Sequence, residues 1–159
     1  MPHFTPVPVT DPRAVDLLAE YFTDRGRSFP VAQGVYVPSF PSPDEFIVPR
    51  GVFLLLEDGA SALGCGGIRR LTAPPTDRVR RYEIKHVWLQ PPARGRGWGR
   101  LLLGELERRA VLFGAEEVVL DTNASLEAAA GLYRSSGYES IPAYNTNPNA
   151  TNWYRKTLV

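Results

Sequence analysis

Apolar positions change period several times along the chain, and each change marks an element. Val15, Leu18, Ala19 and Phe22 recur at helical spacing after Asp11 and Pro12, a helix start signal, and the run ends at Gly26. A first helix of about four turns follows. Upstream, Phe4 to Val9 reads as a short edge strand, because Pro6 and Pro8 remove ladder donors. From Pro30 to Pro49 five prolines interrupt any period, while Phe29, Val35, Tyr36, Phe40 and Phe46 give the segment material to pack. That combination predicts an ordered loop with short helical pieces. Gly51 to Leu71 carries two apolar runs around Glu57-Asp58-Gly59, the pattern of an antiparallel hairpin.

Pro74 and Pro75 break the next connection, and Arg81 to Gln90 then alternates as a third long strand. The following helix extends to about Gly114, with Leu102, Leu106, Ala110 and Phe113 on one face and a Glu105–Arg109 pair on another. Val118 to Asp121 reads as a buried strand. Strand, glycine-rich turn, helix and strand make a βαβ unit, which forces its two strands parallel with a right-handed crossover. Leu126 to Ser136 is an alanine-rich helix stopped by Gly137. Tyr138 to Ala143 and Trp153 to Val159 alternate again around an Asn/Pro-rich turn, predicting a terminal hairpin. The fold class expected is α/β: a mixed, mostly antiparallel sheet flanked by helices, with the βαβ unit at its centre.

Composition narrows this to one domain over residues 1–159, since 159 residues with 43% apolar content supply one sizeable core. The formal net charge of +1 gives no electrostatic case for nucleic acid or an acidic membrane, although sixteen of the eighteen basic residues are arginine. A lone Cys65 excludes an intramolecular disulfide and suits a reducing compartment. No secretory leader is visible, and the longest apolar stretch, Val52 to Leu56, is too short to span a bilayer. A cytoplasmic location is expected.

Between Gln90 and Leu103 the chain reads QPPARGRGWGRLLL. Gly95, Gly97 and Gly99 leave the main chain uncrowded where a helix opens, so the amides of Arg96 to Arg100 can point at one anion. A plain glycine-softened helix cap is the competing explanation. Spacing separates the versions of a phosphate cradle. A P-loop needs Gly-Lys-Ser/Thr, which is missing, and a dinucleotide turn needs a glycine where Arg100 or Leu102 stands. What fits is Arg/Gln-x-x-Gly-x-Gly/Ala, met by Arg94, Gly97 and Gly99.

This pattern resembles the acyl-CoA pyrophosphate turn of the GCN5-related N-acetyltransferase (GNAT) family. A second motif agrees: Ala129, Leu132, Tyr133, Gly137 and Tyr138 resemble the family's Ala-x-x-Leu-Tyr-x-x-x-Gly-Phe/Tyr signature. The order YEIKHVWL, RGRGWG, EEVVLDTN and GLYRSSGY is also the family's order, so the resemblance covers nearly the whole chain, although the N-terminal half has no comparable motif. Trp98 departs from the small aliphatic residue common between the last two glycines. Leu126 stands where many members carry an asparagine contacting the pantetheine arm, and Asn123 is the candidate substitute.

The resemblance implies acetyl transfer from acetyl-CoA, as co-substrate, to an amine, with no metal. Acetyl-CoA would lie on Arg94, Gly95, Arg96, Gly97, Trp98, Gly99 and Arg100, and main-chain groups of Val87, Trp88 and Leu89 would hold the pantetheine arm and polarise the acetyl carbonyl. An alkylammonium has a pKa near ~10.4, so a base must free the nucleophile, and a phenol with a pKa of ~10 suits protonation of a departing thiolate. The resemblance places Tyr133 in the acid role. Glu83, eleven residues before Arg94, is the candidate base, with His86 and Asp121 as rivals. Each has a structural alternative: a packed aromatic, a surface carboxylate, a core imidazole. Cys65 within GCGG reads as a small buried hydrophobe rather than an acyl carrier, which favours direct transfer.

Asp44 and Glu45, and the aromatics Tyr36, Phe46 and Tyr144, are candidates for the acceptor side. The acceptor itself is open among small amines, amino-acid derivatives, antibiotics and protein amino groups. A homodimer through the terminal strands is compatible with the sequence. The reading from another class is a catalytically silent acyl-CoA-binding or sensor domain that keeps the turn without a productive acceptor site.

Overall fold

The computed structural model describes residues 1–72 and 77–158, so the predicted break at Pro74–Pro75 and the last residue, Val159, lie outside the described residues. Ten helices and strands follow one another: β1 (His3–Pro6), α1 (Pro12–Ser28), β2 (Gly51–Asp58), β3 (Ser61–Arg70), β4 (Arg81–Leu89), α2 (Trp98–Leu112), β5 (Glu117–Thr122), α3 (Glu127–Ser135), β6 (Glu139–Ile141) and β7 (Asn152–Thr157). Short 3-10 turns at Val31–Gln33 and Pro43–Phe46 punctuate the proline-rich loop. The strands form one sheet in the order β1-β2-β3-β4-β5-β7-β6. Every neighbouring pair is antiparallel except β4 and β5, which α2 joins as the predicted parallel crossover. The terminal hairpin forms as expected, with β7 inserted beside β5 and β6 left at the edge.

Both faces of the sheet are covered, which explains the unbroken apolar run in β2. Val52, Leu54 and Leu56 join the core beneath α2, where Leu102, Leu103, Leu106 and Ala110 are buried. Phe53 and Leu55 face the other way, against Ala14, Leu17 and Leu18 of α1 and against Phe46. A fully buried leucine stabilises by about 1.5–3 kcal/mol relative to an exposed one, so the three leucines of α2 fix that helix firmly across the sheet.

α1 begins where Asp11 predicts, its carboxylate accepting the Arg13 N–H at 2.9 Å. Its buried face differs from the expected one. Val15 and Ala19 are exposed, and the stripe that meets the sheet is Ala14, Leu17 and Leu18, continued by the partly buried Tyr21 and Phe22 and ending on buried Arg25. Both stripes are spaced 3–4 residues apart, so period alone could not choose between them.

The sheet opens at one place. The β4–β5 register holds only for Arg81↔Glu117, Tyr82↔Val118 and Glu83↔Val119, although β4 continues to Leu89 and β5 to Thr122. The cause lies on the opposite edge of β4. Cys65 pairs with Trp88 and Gly67 with Lys85, so His86 and Val87 together oppose Gly66. An extra residue in one strand bends it. His86 takes the bulge conformation at φ 58°, one that L-residues other than glycine seldom adopt. Beyond Glu83 the two strands part.

Candidate functional site

The parted strands form the walls of a cleft of about 510 Å³, with Lys85, His86 and Val87 on one side and Leu120, Asp121 and Thr122 on the other. Because β5 does not pair with β4 beyond Glu83, one edge of Val87, Trp88 and Leu89 is without a neighbouring strand. That is the edge an extended ligand with amide groups can join. The Cys65 thiol sits behind it, fully buried, donating to the His86 carbonyl at 3.5 Å. Burial raises the pKa of that thiol, consistent with a packed side chain and not a nucleophile.

The glycine turn lies where β4 ends. Gly95 and Gly97 have φ of 75° and 77°, a left-handed backbone that costs a β-carbon about 1–2 kcal/mol. Gly97 caps α2 with no side-chain bond to its first turn, and the first intrahelical donor is Leu101, whose N–H reaches the Gly97 carbonyl at 3.2 Å. The N–H groups of Trp98, Gly99 and Arg100 therefore lack helical acceptors and carry the positive end of the helix dipole. Gly99 is under less constraint. A β-carbon there would stand 3.4 Å from Leu132 and 3.6 Å from Leu89, ordinary contact distances.

The arginines of the turn are partly committed to holding it. Arg94 donates from Nε to the Leu89 carbonyl at 2.9 Å and stacks 4.6 Å over the Trp88 ring. Arg96 lies 4.9 Å over Trp98. Arg100 reaches α3, donating to Ser135 Oγ at 2.8 Å and Ser136 Oγ at 3.1 Å. A pyrophosphate would find helix amides and a positively charged rim in a preformed turn, so the residues present fit the CoA moiety.

Tyr133 projects from α3 into the cleft and is 8% exposed, with the Tyr138 and Tyr154 rings at 5.8 and 6.1 Å. Burial first, then the nearby Tyr21, Asp121 and Tyr154, raise its pKa. The phenol is thus held neutral, a hydrogen-bond donor toward any anion formed in the cleft.

The three candidate bases are separated by their surroundings. Glu83 is 1% exposed; Arg69 donates to its Oε1 at 3.0 Å and the Tyr144 hydroxyl to its Oε2 at 2.7 Å. It borders a smaller cavity, lined also by Arg81 and Asn145, instead of the main cleft. Asp121 faces the main cleft, accepting from Asn145 at 2.7 Å and Asn147 at 3.2 Å. Lys85 lies between these acids, 3.9 Å from Glu83 and 3.6 Å from Asp121. His86 also lines the cleft, but its ring packs among Phe22, Tyr21 and Phe46 at 5.7–6.2 Å. Burial, with help from Lys85 and Arg69, lowers its pKa to about 3. A general base works best with a pKa near the operating pH, and His86 is displaced from that range.

Asn123 is occupied within the protein. It is fully buried, its amide donating to Gln33 Oε1 at 2.7 Å and to the Asn149 carbonyl at 3.1 Å while its Oδ1 accepts the Ser125 N–H. Its side chain ties loops together. Asn149 extends the same tie by bonding both the N–H and the carbonyl of Val37, at 3.0 and 2.6 Å, so the β6–β7 connection secures the proline-rich loop over the cleft. Of the acceptor-side candidates, Tyr36 and Glu45 line the cleft and Tyr144 the smaller cavity. Phe46 is buried core, and Asp44 is exposed beyond either lining. Sequence reasoning missed Tyr21, Arg25, Arg69 and Lys85. Arg25 and Tyr21 were detectable as polar groups on the buried stripe of α1; the positions of Arg69 and Lys85 depend on strand register.

Among the described residues no cluster of three His, Cys, Asp or Glu side chains could hold a metal ion, and no helix is long and apolar enough to cross a membrane.

Two outcomes follow. Gly97→Ala should weaken acetyl-CoA binding roughly tenfold by calorimetry, because the strain must be relieved by distorting the turn, whereas Gly99→Ala should change it less than about threefold. His86 governs an acid limb of stability. Between its ordinary pKa of 6.5 and its folded value of about 3 the unfolded chain binds the proton and the folded chain does not, so stability falls as pH drops through that window. The slope from this group is up to about 1.4 kcal/mol per pH unit, and His86→Asn should remove it in denaturant titrations repeated across pH.

The profile of the Acetyltransferase (GNAT) family matches residues 14–138. An uncharacterized N-acetyltransferase of Schizosaccharomyces pombe is 32% identical over 101 residues, covering 63% of this chain and 59% of that protein. The chain thus spans about three-fifths of that relative's length. A Klebsiella pneumoniae structure provisionally described as an acyl-CoA N-acyltransferase is 25% identical, with a TM-score of 0.72 over 100% of this chain and 99% of that one. A GNAT family acetyltransferase from Elizabethkingia anophelis, with acetyl-CoA bound, shares the fold at a TM-score of 0.66 and 18% identity over 98% of this chain and 97% of that one. With 125 consecutive residues matched by the family profile, from position 14 to position 138, the chain belongs to the GNAT acetyltransferase family.

Proposed function

We propose that the protein is an N-acetyltransferase that moves an acetyl group from acetyl-CoA directly to an amine. The observation that carries this reading is the unpaired edge of Val87 to Leu89, set between the glycine turn at one end and Tyr133 across the cleft. A donor with its pyrophosphate on the α2 N-terminus and its pantetheine amides along β4 has its thioester beside the bulge. There, main-chain groups already fixed by the sheet polarise the carbonyl without reorganising.

The amine nitrogen then bonds to the acetyl carbon and the carbon–sulfur bond breaks. The thiolate takes a hydrogen bond, and finally a proton, from Tyr133, and the second proton that the nitrogen sheds as the amide forms restores the phenol. Burial holds the Tyr133 proton in place, so the phenol is still protonated when the thiolate forms. The proton from the ammonium passes to Glu83 through water, with Arg69 and Tyr144 holding the carboxylate. Asp121 is the second reading for the base, favoured by its place on the main cleft. A silent acyl-CoA sensor is favoured by one observation: both Glu83 oxygens already have partners.

CoA release with acetyl-CoA and a panel of amines tests this. Tyr133→Phe should lower kcat by at least about tenfold, and Glu83→Gln by roughly 100-fold, with acetyl-CoA affinity little changed in either. A larger loss in Asp121→Asn than in Glu83→Gln would move the base to Asp121. Tight acetyl-CoA binding without amine-dependent turnover in the parent protein would establish the sensor.

A further inference from the structure

The last position of the buried stripe of α1 is a cation. Arg25 is 5% exposed, and its Nη1 is buried without a hydrogen-bond partner. Among the described residues no carboxylate pairs with it. Its neighbours are aromatic: its guanidinium lies 5.9 Å from the Phe29 ring centroid and 5.1 Å from that of Tyr36, and the Tyr21 phenol is beside it. Rings attract a cation but accept its N–H bonds poorly; the Tyr21 phenol oxygen is within reach of the guanidinium, yet Nη1 has no acceptor. A buried charged donor left unpaired is costly and therefore uncommon in a structure with no use for it. Arg25 stands in the wall of the main cleft together with Tyr21 and Tyr36.

The remaining charges in the cleft suggest what would satisfy it. Asp121 and Glu45 line the same space together with their partners Lys85 and Arg69, at 3.6 and 3.1 Å, so among the described residues Arg25 is the cleft cation left without a carboxylate and offers its planar guanidinium to an anion. The proposed transfer requires an amine, and Arg25 requires an anion on the same molecule. A dianionic phosphate carries more negative charge than one unpaired cation balances, and an amine without an anionic group would leave Arg25 unpaired. The forked N–H geometry of arginine suits the two oxygens of a carboxylate.

We propose that Arg25 is the specificity determinant for the acceptor, binding its carboxylate, and that the acceptor is a free amino acid or a closely related amino-carboxylate. This rests on the cleft being the acyl-transfer site proposed above. It disfavours peptide N-termini, whose carboxyl next to the amino-bearing carbon is an uncharged amide.

Equilibrium binding to the CoA-saturated protein tests the assignment without requiring turnover. The common L-α-amino acids and short ω-amino acids are each compared with their primary amides by calorimetry, with tetrapeptides bearing free N-termini alongside. At least one acid should bind roughly tenfold or more tightly than its amide. That ratio should collapse toward one in Arg25→Gln and survive in part in Arg25→Lys, with acetyl-CoA affinity unchanged in both. Acids binding no better than amides would overturn the proposal, and this comparison needs only the parent protein, so it stands even if a variant fails to fold. A ratio that persists in Arg25→Gln, or tetrapeptides binding more tightly than every amino acid, would overturn it too. Carboxylate discrimination without acetyl transfer to the bound amino acid would sink the acetyltransferase reading and leave the Arg25 site standing. Acetyl transfer only to carboxylate-free amines would do the reverse.

Discussion

One strand cannot follow two neighbours when only one of them accommodates an extra residue, and the site depends on that constraint at β4. The bulge at His86 and Val87 keeps β4 in register with β3 through Cys65↔Trp88 while bending it from β5 after Glu83↔Val119. Backbone groups that would have closed a parallel ladder are left along a cleft instead. An unpaired strand edge inside a protein is ordinarily a liability. Here loops cover it, with space between for a ligand.

Much of the surrounding sequence maintains that gap. The His86 ring is sunk among three aromatic rings, and the Cys65 thiol meets its carbonyl, so the bulge is held from both sides of the chain. Arg100 ties the start of α2 to the end of α3, fixing the glycine turn relative to Tyr133. The asparagines of the β6–β7 connection bond Asp121 and Val37, securing the far wall and the loop above it. These contacts suit a preformed site that does little work to organise itself on binding. The proposed chemistry asks for no more: fixed dipoles at a carbonyl, a neutral phenol near sulfur and an acid within reach of the amine.

The fold was largely legible in the sequence because its strongest signals are local. Asp11-Pro12 starts α1, the alternation in β4 and the glycine turn announce a crossover, and Gly137 stops α3. The glycine turn and the strand edge proposed for the donor could be located for the same reason, since their parts are consecutive backbone positions. What escaped reading depends on long-range register. Glu83 was recognisable as a strand carboxylate, but its capture by Arg69 and Tyr144 joins residues 14 and 61 positions away. Asn123 has no local sign of its partner Gln33, 90 positions distant. Arg25 was overlooked because two helical stripes of similar period compete in α1, and the one containing Val15 and Ala19 appeared the more apolar. His86 drew attention as a titratable group, whereas its backbone conformation is what shapes the cleft.

In the proposed reading the parted edge of β4 and the first turn of α2 together receive the donor. Hydrogen–deuterium exchange with and without CoA measures this at the amides concerned. Exchange should slow in two segments, Val87 to Leu89 and Trp98 to Arg100, with little change along β2. Binding of CoA that leaves both segments exchanging at their original rates would contradict it.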